Sequence, residues 1–369
     1  MKVILERNVL GNALARAARI IERRGTIPIL NNLVLTAHQD SLRLQGTDLD
    51  IEIVDTIPAE VATPGAVAAP AHLLADIVRK LPEGAQVLLE RKAEDAPLAV
   101  RAGRSRFTLQ TLPVADYPDL SGGADTAATF TLPAKLLRRM IDSTQFAIST
   151  EETRYYLNGI YFHIDPAGAL AAVATDGHRL ARVLAEAPAG AGAMPGVIVP
   201  RKAVGEFSRA LPDDGEVSLT VSANKIRLTA GALTLTSKVI DGTFPDYARV
   251  IPTANDKVLT LDTEQFEKAL DRVATVASER GRSVRLSATP GTLTIESANA
   301  EAGQAAVEDL DIECETEALI GFNPKYLGEI LAQCGSDTVE MRLADPGSPA
   351  LFAGVGVKDA VFVLMPMRV

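Results

Sequence analysis

A chain of 369 residues with 47% hydrophobic side chains and no Trp is too long for a single core and too apolar to be disordered. Its 37 Lys and Arg against 47 Asp and Glu leave a net charge of −10, which argues at first sight against a nucleic-acid partner. No apolar run approaches the roughly 20 residues of a membrane helix, the charges within Met1–Leu10 leave no room for an export signal, and the two cysteines, Cys314 and Cys334, lack the spacing of a disulfide framework or a zinc site.

The chain is therefore expected in the cytosol, without metal or cofactor. In chain order, VILERNVLGNALARAARII (3–21) opens with a short alternating run and passes into helical spacing. Leu10, Leu14, Ala17 and Ile21 share one face, opposite Arg16, Arg19 and Arg23. LVLTAHQDSLRLQGTDLDIEIV (33–54) alternates like half-buried strands. VAAPAHLLADIVRKLPEGAQVLLE (67–90) joins a helix to a strand, and LAVRAGRSRFTLQT (98–111) reads as a hairpin turning at Gly103. The pattern breaks at SGGADTAA (121–128) and then restarts with FTLPAKLLRRMIDSTQFAI (130–148) and VIVPRKAVGEFSRALPDDGEVSLT (197–220). A flexible loop, APAGAGAMPG (187–196), is predicted between them, and a hairpin turn at Gly231 follows. After PTANDK (252–257) the cycle runs a third time, through LTLDTEQFEKALDRVATVA (259–277) and IGFNPKYLGEILAQCGSDTVEMRL (320–343).

The starts lie about 127 to 129 residues apart, and Pro70/Pro200, Leu81/Leu211, Pro82/Pro212 and Val87/Val217 keep one offset of 130. That period is too long for a solenoid turn and suits a domain with its own core. Three similar domains are predicted, at 1–125, 128–252 and 256–369, each with two helices packed on antiparallel sheets, an α+β class.

Charge is distributed unevenly over this pattern. The six predicted helix spans (7–24, 71–80, 133–146, 200–210, 262–275 and 323–332) hold sixteen basic and nine acidic residues, a surplus of seven, so the rest of the chain carries −17. In the third helix Leu137, Met140, Ile141 and Thr144 oppose Lys135, Arg138 and Arg139; in the fourth Val204, Phe207 and Leu211 oppose Lys202 and Arg209. For any single helix a solvated polar face is the plain explanation. The bias across several helices predicts a phosphate-tracking surface, to which Arg138 and Arg209 would contribute. The fifth helix departs from it, with Asp262, Glu264, Glu267 and Asp271. Few aromatic residues argue against single-strand stacking and for contacts to the backbone of a duplex.

TDGHRLA (175–181) places Asp176 and His178 together, and a hydrolase using that pair is the alternative reading. As chemistry it is weak: Asp-Gly suits a polar turn, and no nucleophile elbow, phosphate loop or metal motif stands near it. No catalytic residue is assigned, and His38, His72 and His163 read as structural. The end of the chain, VFVLMPMRV (361–369), reads as a last strand to Leu364 followed by an adaptable apolar surface at Met365, Pro366 and Met367.

Eight segments, TIPILNNLVL (26–35), GTDLDIEI (46–53), GRSRFTLQTLP (103–113), RYYLNGIYF (154–162), ATDGHRLA (174–181), VIVPRK (197–202), SKVIDGTFPDY (237–247) and MPMR (365–368), resemble the bacterial DNA polymerase III beta subunit family, the replicative sliding clamps. The resemblance spans the whole chain. It implies a head-to-tail homodimer of three-domain subunits, closed into a ring with helices inside and sheets outside, that encircles duplex DNA without reading its sequence. It also implies tethering of the DNA polymerase III alpha subunit, the clamp loader, and other polymerases and repair proteins by a short glutamine-led peptide rich in Leu and Phe. The peptide pocket carried over comprises Leu157, Thr175, Gly177, His178, Arg179, Leu180, Pro245, Arg249, Val250, Val363, Leu364, Met365, Pro366, Met367 and Arg368. DNA contacts carried over are Arg24, Tyr155, Tyr156, Arg201 and Lys202, and the dimer interface takes Phe107 and Leu109 from the first domain. Pro349, where the family often has serine, and Val369, where leucine is common, are departures. Ring geometry agrees: twelve helices at about 10 Å each leave about 28 Å clear, enough for a duplex of about 20 Å, whereas six leave only about 9 Å.

Overall fold

The computed structural model describes residues 1–120, 127–277, 283–299 and 302–368; most of the predicted break at 121–128, and Val369, lie outside them. Among the described residues the helices are α1 (Arg7–Ile20), α2 (Ala71–Lys80), α3 (Ala134–Gln145), α4 (Arg201–Ala210), α5 (Thr263–Ala274) and α6 (Pro324–Leu331). Each predicted helical span holds one. Two compact units form, Met1–Ala134 with Gly205–Val239, and Lys135–Val204 with Ile240–Val369.

In the first unit, a five-stranded antiparallel sheet runs in the order Glu60–Thr63, Lys2–Glu6, Gln86–Glu90, Leu98–Ala102, Ser105–Leu109. An eight-stranded sheet joins Ala128–Pro133, Glu216–Val221, Lys225–Ala230 and Leu233–Lys238 to Ile51–Pro58, Ser41–Thr47, Asn32–His38 and Gly65–Pro70. The seam is the pairing of Leu233–Ser237 with Ile51–Asp55, in which Leu235 faces Ile53. Strands of the second predicted domain thus continue the sheet of the first, which is why compactness divides that domain. The predicted turns at Gly103 and Gly231 both have positive φ, at 54° and 61°, and close tight hairpins as glycine permits.

Helix α1 starts where the Glu6 carboxylate caps the amides of Asn8 and Val9 at 2.8 and 3.0 Å. It buries Leu10, Ala13, Leu14, Ala17 and Ile20 and ends four residues short of the predicted span, where Ile21 turns extended (φ −73°, ψ 129°). Ile21 stays buried at that exit, packed on Gly46, where an added Cβ would stand 2.8 Å from Ile21 Cδ1.

In the second unit, an eight-stranded antiparallel sheet has the order Val197–Pro200, Gly159–Ile164, Leu170–Thr175, Arg179–Ala185, Ala360–Leu364, Ala350–Gly354, Thr338–Leu343, Lys257–Asp262. A four-stranded sheet runs Gln304–Asp311, Thr292–Asn299, Val284–Thr289, Ala318–Phe322. The central seam pairs Arg179 with Leu364 and Leu180 with Val363, which brings the TDGHR turn and the end of the chain side by side.

Candidate docking site and basic residues

The turn between strands Leu170–Thr175 and Arg179–Ala185 is built from its own side chains. Thr175 Oγ1 donates to the Arg179 carbonyl at 2.7 Å and accepts from the Gly177 amide at 3.1 Å. Asp176 Oδ1 accepts from the amides of His178 and Arg179 at 2.9 and 3.0 Å. Gly177 takes φ 88°, and a Cβ there would meet Arg154 Nη1 at 2.8 Å. The other Asp176 oxygen accepts from Arg179 Nε at 3.1 Å. Both carboxylate oxygens are therefore occupied in holding the turn and not poised beside the His178 ring for proton transfer.

The tail is fastened to this turn. The Met365 amide donates to the His178 carbonyl at 2.8 Å, and the Met367 amide to the Gly321 carbonyl at 2.8 Å. Those bonds fix the backbone while Met365 and Met367 each keep 37% of their surface in solvent. A third wall comes from residues 240–251. Ile240 bonds back to Ile198, and Phe244 stacks on Tyr161 (4.9 Å, 9°), which stacks in turn on His163 (4.5 Å, 21°). His163 Nδ1 lies 3.0 Å from the Ile164 carbonyl and Nε2 lies 3.0 Å from Tyr247 Oη. With Nδ1 donating to that carbonyl, Nε2 accepts the tyrosine proton. Burial holds the His163 pKa below its ordinary value and pushes the Tyr247 hydroxyl up.

These walls converge on one apolar cluster. Leu157, Val173, Leu180, Ile198, Phe244 and Val363 are its buried floor, and Tyr156, Tyr161, Ile240, Tyr247, Ile251 and Leu351 are its half-buried flanks. Of the residues expected in a pocket, Leu157, Leu180, Val363 and Leu364 are buried, Thr175 and Pro366 are half-buried, and Gly177, His178, Pro245, Arg249, Val250, Met365, Met367 and Arg368 are exposed. Arg249 pairs with Asp246 at 2.8 Å. Arg179 is only 8% exposed, its guanidinium held by Asp176, Glu329 and the Phe146 carbonyl. The departure Pro349 is held by Asn255, whose Nδ2 donates to the carbonyls of Arg342 and Pro349 at 2.8 and 2.9 Å. Sequence reasoning missed the Tyr161, His163, Phe244 and Tyr247 stack. The signal was present in the alternation of GIYFHI (159–164) and the aromatics of FPDY.

The basic residues are less free than their helical spacing predicts. Arg16 bonds Asp55 at 2.6 Å, Arg19 bonds Glu206 at 3.0 Å, and Arg139 bonds Asp359 at 2.6 Å. Arg209 is exposed but paired to the same Glu206 at 2.7 Å. A helix-face pattern shows where cations point and not which carboxylates from other elements meet them. Arg24 is exposed in the turn after α1; Arg201 and Lys202 are exposed at the start of α4, and Arg138 is half-buried on α3. Tyr155 and Tyr156 meet edge to face, with centroids 5.8 Å apart, and Tyr155 is exposed. As expected, α5 is acidic: with α6 it walls a groove of about 790 Å³ lined by Glu264, Glu267, Asp271 and Glu329, with Lys268 and Lys325.

The two residues expected at a dimer interface part company. Phe107 is 36% exposed on the edge strand Ser105–Leu109, whereas Leu109 is 3% exposed and belongs to the core of the first unit. Leu109 sits opposite the buried Leu98, so its side chain closes that core.

Three models of the DNA polymerase III beta subunit match end to end, the N-terminal domain at residues 1–121, the central domain at 131–246 and the C-terminal domain at 248–368. The chain belongs to the DNA polymerase III beta subunit family. It is 49% identical to the beta sliding clamp of Caulobacter vibrioides (strain NA1000 / CB15N), 40% to that of Pseudomonas aeruginosa and 39% to that of Escherichia coli K12, in each case over the whole of both chains. Among solved structures it is similar to Caulobacter crescentus pol III beta (TM-score 0.93, 48% identity) and to a Bartonella birtlesii sliding clamp bound to griselimycin (TM-score 0.94, 43% identity), with full coverage of both chains. The fold is the three-domain α+β fold of the beta subunit family.

Proposed function

We propose that this chain is a DNA sliding clamp, a processivity factor with no reaction of its own. In this reading two copies close head to tail around duplex DNA and tether the replicative polymerase, the clamp loader and other polymerases and repair proteins by their short peptides. The observation that supports it most strongly is the apolar cluster of Leu157, Leu180, Phe244 and Val363, rimmed by Val250, Met365 and Met367. A floor of fixed apolar side chains with pliable methionines at the edge suits a Leu- and Phe-bearing peptide, whose affinity comes from apolar burial. The docking residues we assign are those carried over from the family, with Arg179 also bracing the turn through Asp176.

The hydrolase alternative has no support in the geometry, because Asp176 is committed to the turn. The domains we assign are 1–125, 128–252 and 256–369, in keeping with the family boundaries. For the dimer we pair two strand edges. Ser105–Leu109 ends the five-stranded sheet with exposed Arg104, Arg106 and Phe107 beside it, and Gln304–Asp311 ends the four-stranded sheet with exposed Val307, Asp309 and Asp311. Opposite charge and unpaired backbone favour their meeting in trans, which would also cover both edges.

DNA would be held by weak, sequence-blind contacts from Arg24, Tyr155, Tyr156, Arg201 and Lys202, with lesser ones from Arg138 and Arg209, so that the ring slides while closure prevents escape. No helix among the described residues is long and apolar enough to cross a membrane, and the role places the protein in the cytoplasm. The test is binding of a labelled glutamine-led peptide by fluorescence anisotropy. Saturable binding that Met365→Ala weakens and Val250→Asp abolishes is expected; no saturable binding would contradict the reading.

A further inference from the structure

The most heavily bonded side chain in the docking turn is Arg179, which is only 8% exposed. Arg179 Nε donates to Asp176 within the turn, Nη1 pairs with Glu329 on α6, and Nη2 donates to the Phe146 carbonyl at 2.6 Å, just past the end of α3. The guanidinium lies 4.2 Å from the ring centroid of Tyr326, also on α6, and 5.1 Å from that of Phe146. The His178 ring stacks over Tyr326 as well, with centroids 6.3 Å apart.

Helix α6 supplies none of the residues carried over to the pocket, yet it grips the turn at two points. Thr175 and Asp176 fix the turn's internal shape. What fixes its tilt against the rest of the unit is the Arg179 fork. A shift in that tilt would also move Met365, because the Met365 amide hangs on the His178 carbonyl. A planar guanidinium satisfies three partners and stacks on rings in a way that an ammonium cannot, and removing one partner leaves a buried charge short of compensation.

We propose that Glu329 is a positioning residue for the peptide site, acting through Arg179 to hold the 175–179 turn and the Met365 rim in the shape that receives the peptide. This deepens the docking reading above and rests on it. Glu329 also lines the α5–α6 groove, so that groove adjoins the support of the docking turn.

The test uses the intact full-length protein and the same labelled glutamine-led peptide. Glu329→Gln is expected to weaken binding about tenfold, the scale on which loss of a partner one shell out weakens a bound metal. Glu267→Gln, in the same groove but off Arg179, should bind as the parent does. Arg179→Lys should not restore what Arg179→Ala loses, and Arg179→Ala with Glu329→Gln should be no weaker than Arg179→Ala alone, since both break one linkage. Parent-like affinity in Glu329→Gln, or full additivity in the double variant, would overturn the proposal. Hydrogen exchange without peptide separates this failure from failure of the docking reading. Faster exchange at the amides of Gly177, His178, Arg179 and Met365 in Glu329→Gln is expected even if the parent binds no peptide, and unchanged exchange there would overturn the positioning role.

Discussion

At the scale of single residues, His163 ties the stability of the docking half to pH. Burial lowers its pKa from the ordinary 6.5, so the unfolded chain takes up a proton near pH 6.5 that the folded chain refuses. Stability from this group is therefore complete above about pH 6.5 and falls as pH drops toward the folded pKa, by at most about 1.4 kcal/mol per pH unit. The hydrogen bond to the Ile164 carbonyl and, after it, the Asp165 charge oppose the shift. Thermal melts between pH 7.5 and 5.5 should show a steeper decline for the parent than for His163→Phe; equal slopes would contradict the assignment. Glu206 gives a second residue-scale prediction. It is buried and serves both Arg19 and Arg209, so Arg19→Ala should cost about 1–3 kcal/mol in urea unfolding. Arg19→Ala combined with Glu206→Gln should recover part of that loss. Residue roles were the least legible layer in the sequence. Helical spacing put Arg16, Arg19, Arg139 and Arg209 on polar faces correctly, but their carboxylate partners come from elements remote in sequence, or from a neighbouring turn, and periodicity carries no information about them. The same holds for Arg179, whose neighbours Glu329 and Tyr326 lie about 150 residues away.

At the scale of elements, the seams between strands decide where the docking site forms. Strand Gly159–Ile164 pairs with Val197–Pro200, and Gly159 faces Pro200 across it. An added Cβ at Gly159 would stand 2.2 Å from the Val199 carbonyl oxygen, a backbone atom with no freedom to move aside. Gly159→Ala should therefore lower the melting temperature by more than about 5 °C, as a strongly destabilising substitution does, and reduce peptide binding because Leu157 and Ile198 flank that seam. A parent-like melt would show that the two strands can separate without harm. Elements themselves were readable: alternation marked the strands, glycine marked the hairpins, and each predicted helix formed. Helix α1 stops early because Ile21 leaves the helix to pack against Gly46, a contact with a distant strand that local spacing does not encode. Leu109 differs from Phe107 in exposure for a related reason. Phe107 and Leu109 share a strand face, but the core covers one and leaves the other at its margin.

At the scale of the whole molecule, the repeat was the most legible feature, because three copies of one pattern set three domains without any reference to contacts. What it concealed is that pairing of Leu233–Ser237 with Ile51–Asp55 fuses strands of two repeats into one sheet. The proposed dimer predicts that Phe107→Arg, which sets a cation on an edge already bearing Arg104 and Arg106, gives a monomeric mass in sedimentation at micromolar concentration. A persistent dimer would move the interface elsewhere. The central claim is that this protein holds DNA by enclosing it. Its most direct test is to load labelled protein onto a nicked circular plasmid with the clamp loader and ATP, remove free protein, and then cut the circle once. Enclosure predicts stable retention on the circle and rapid release after the cut, while retention that is the same on cut and uncut DNA would contradict it.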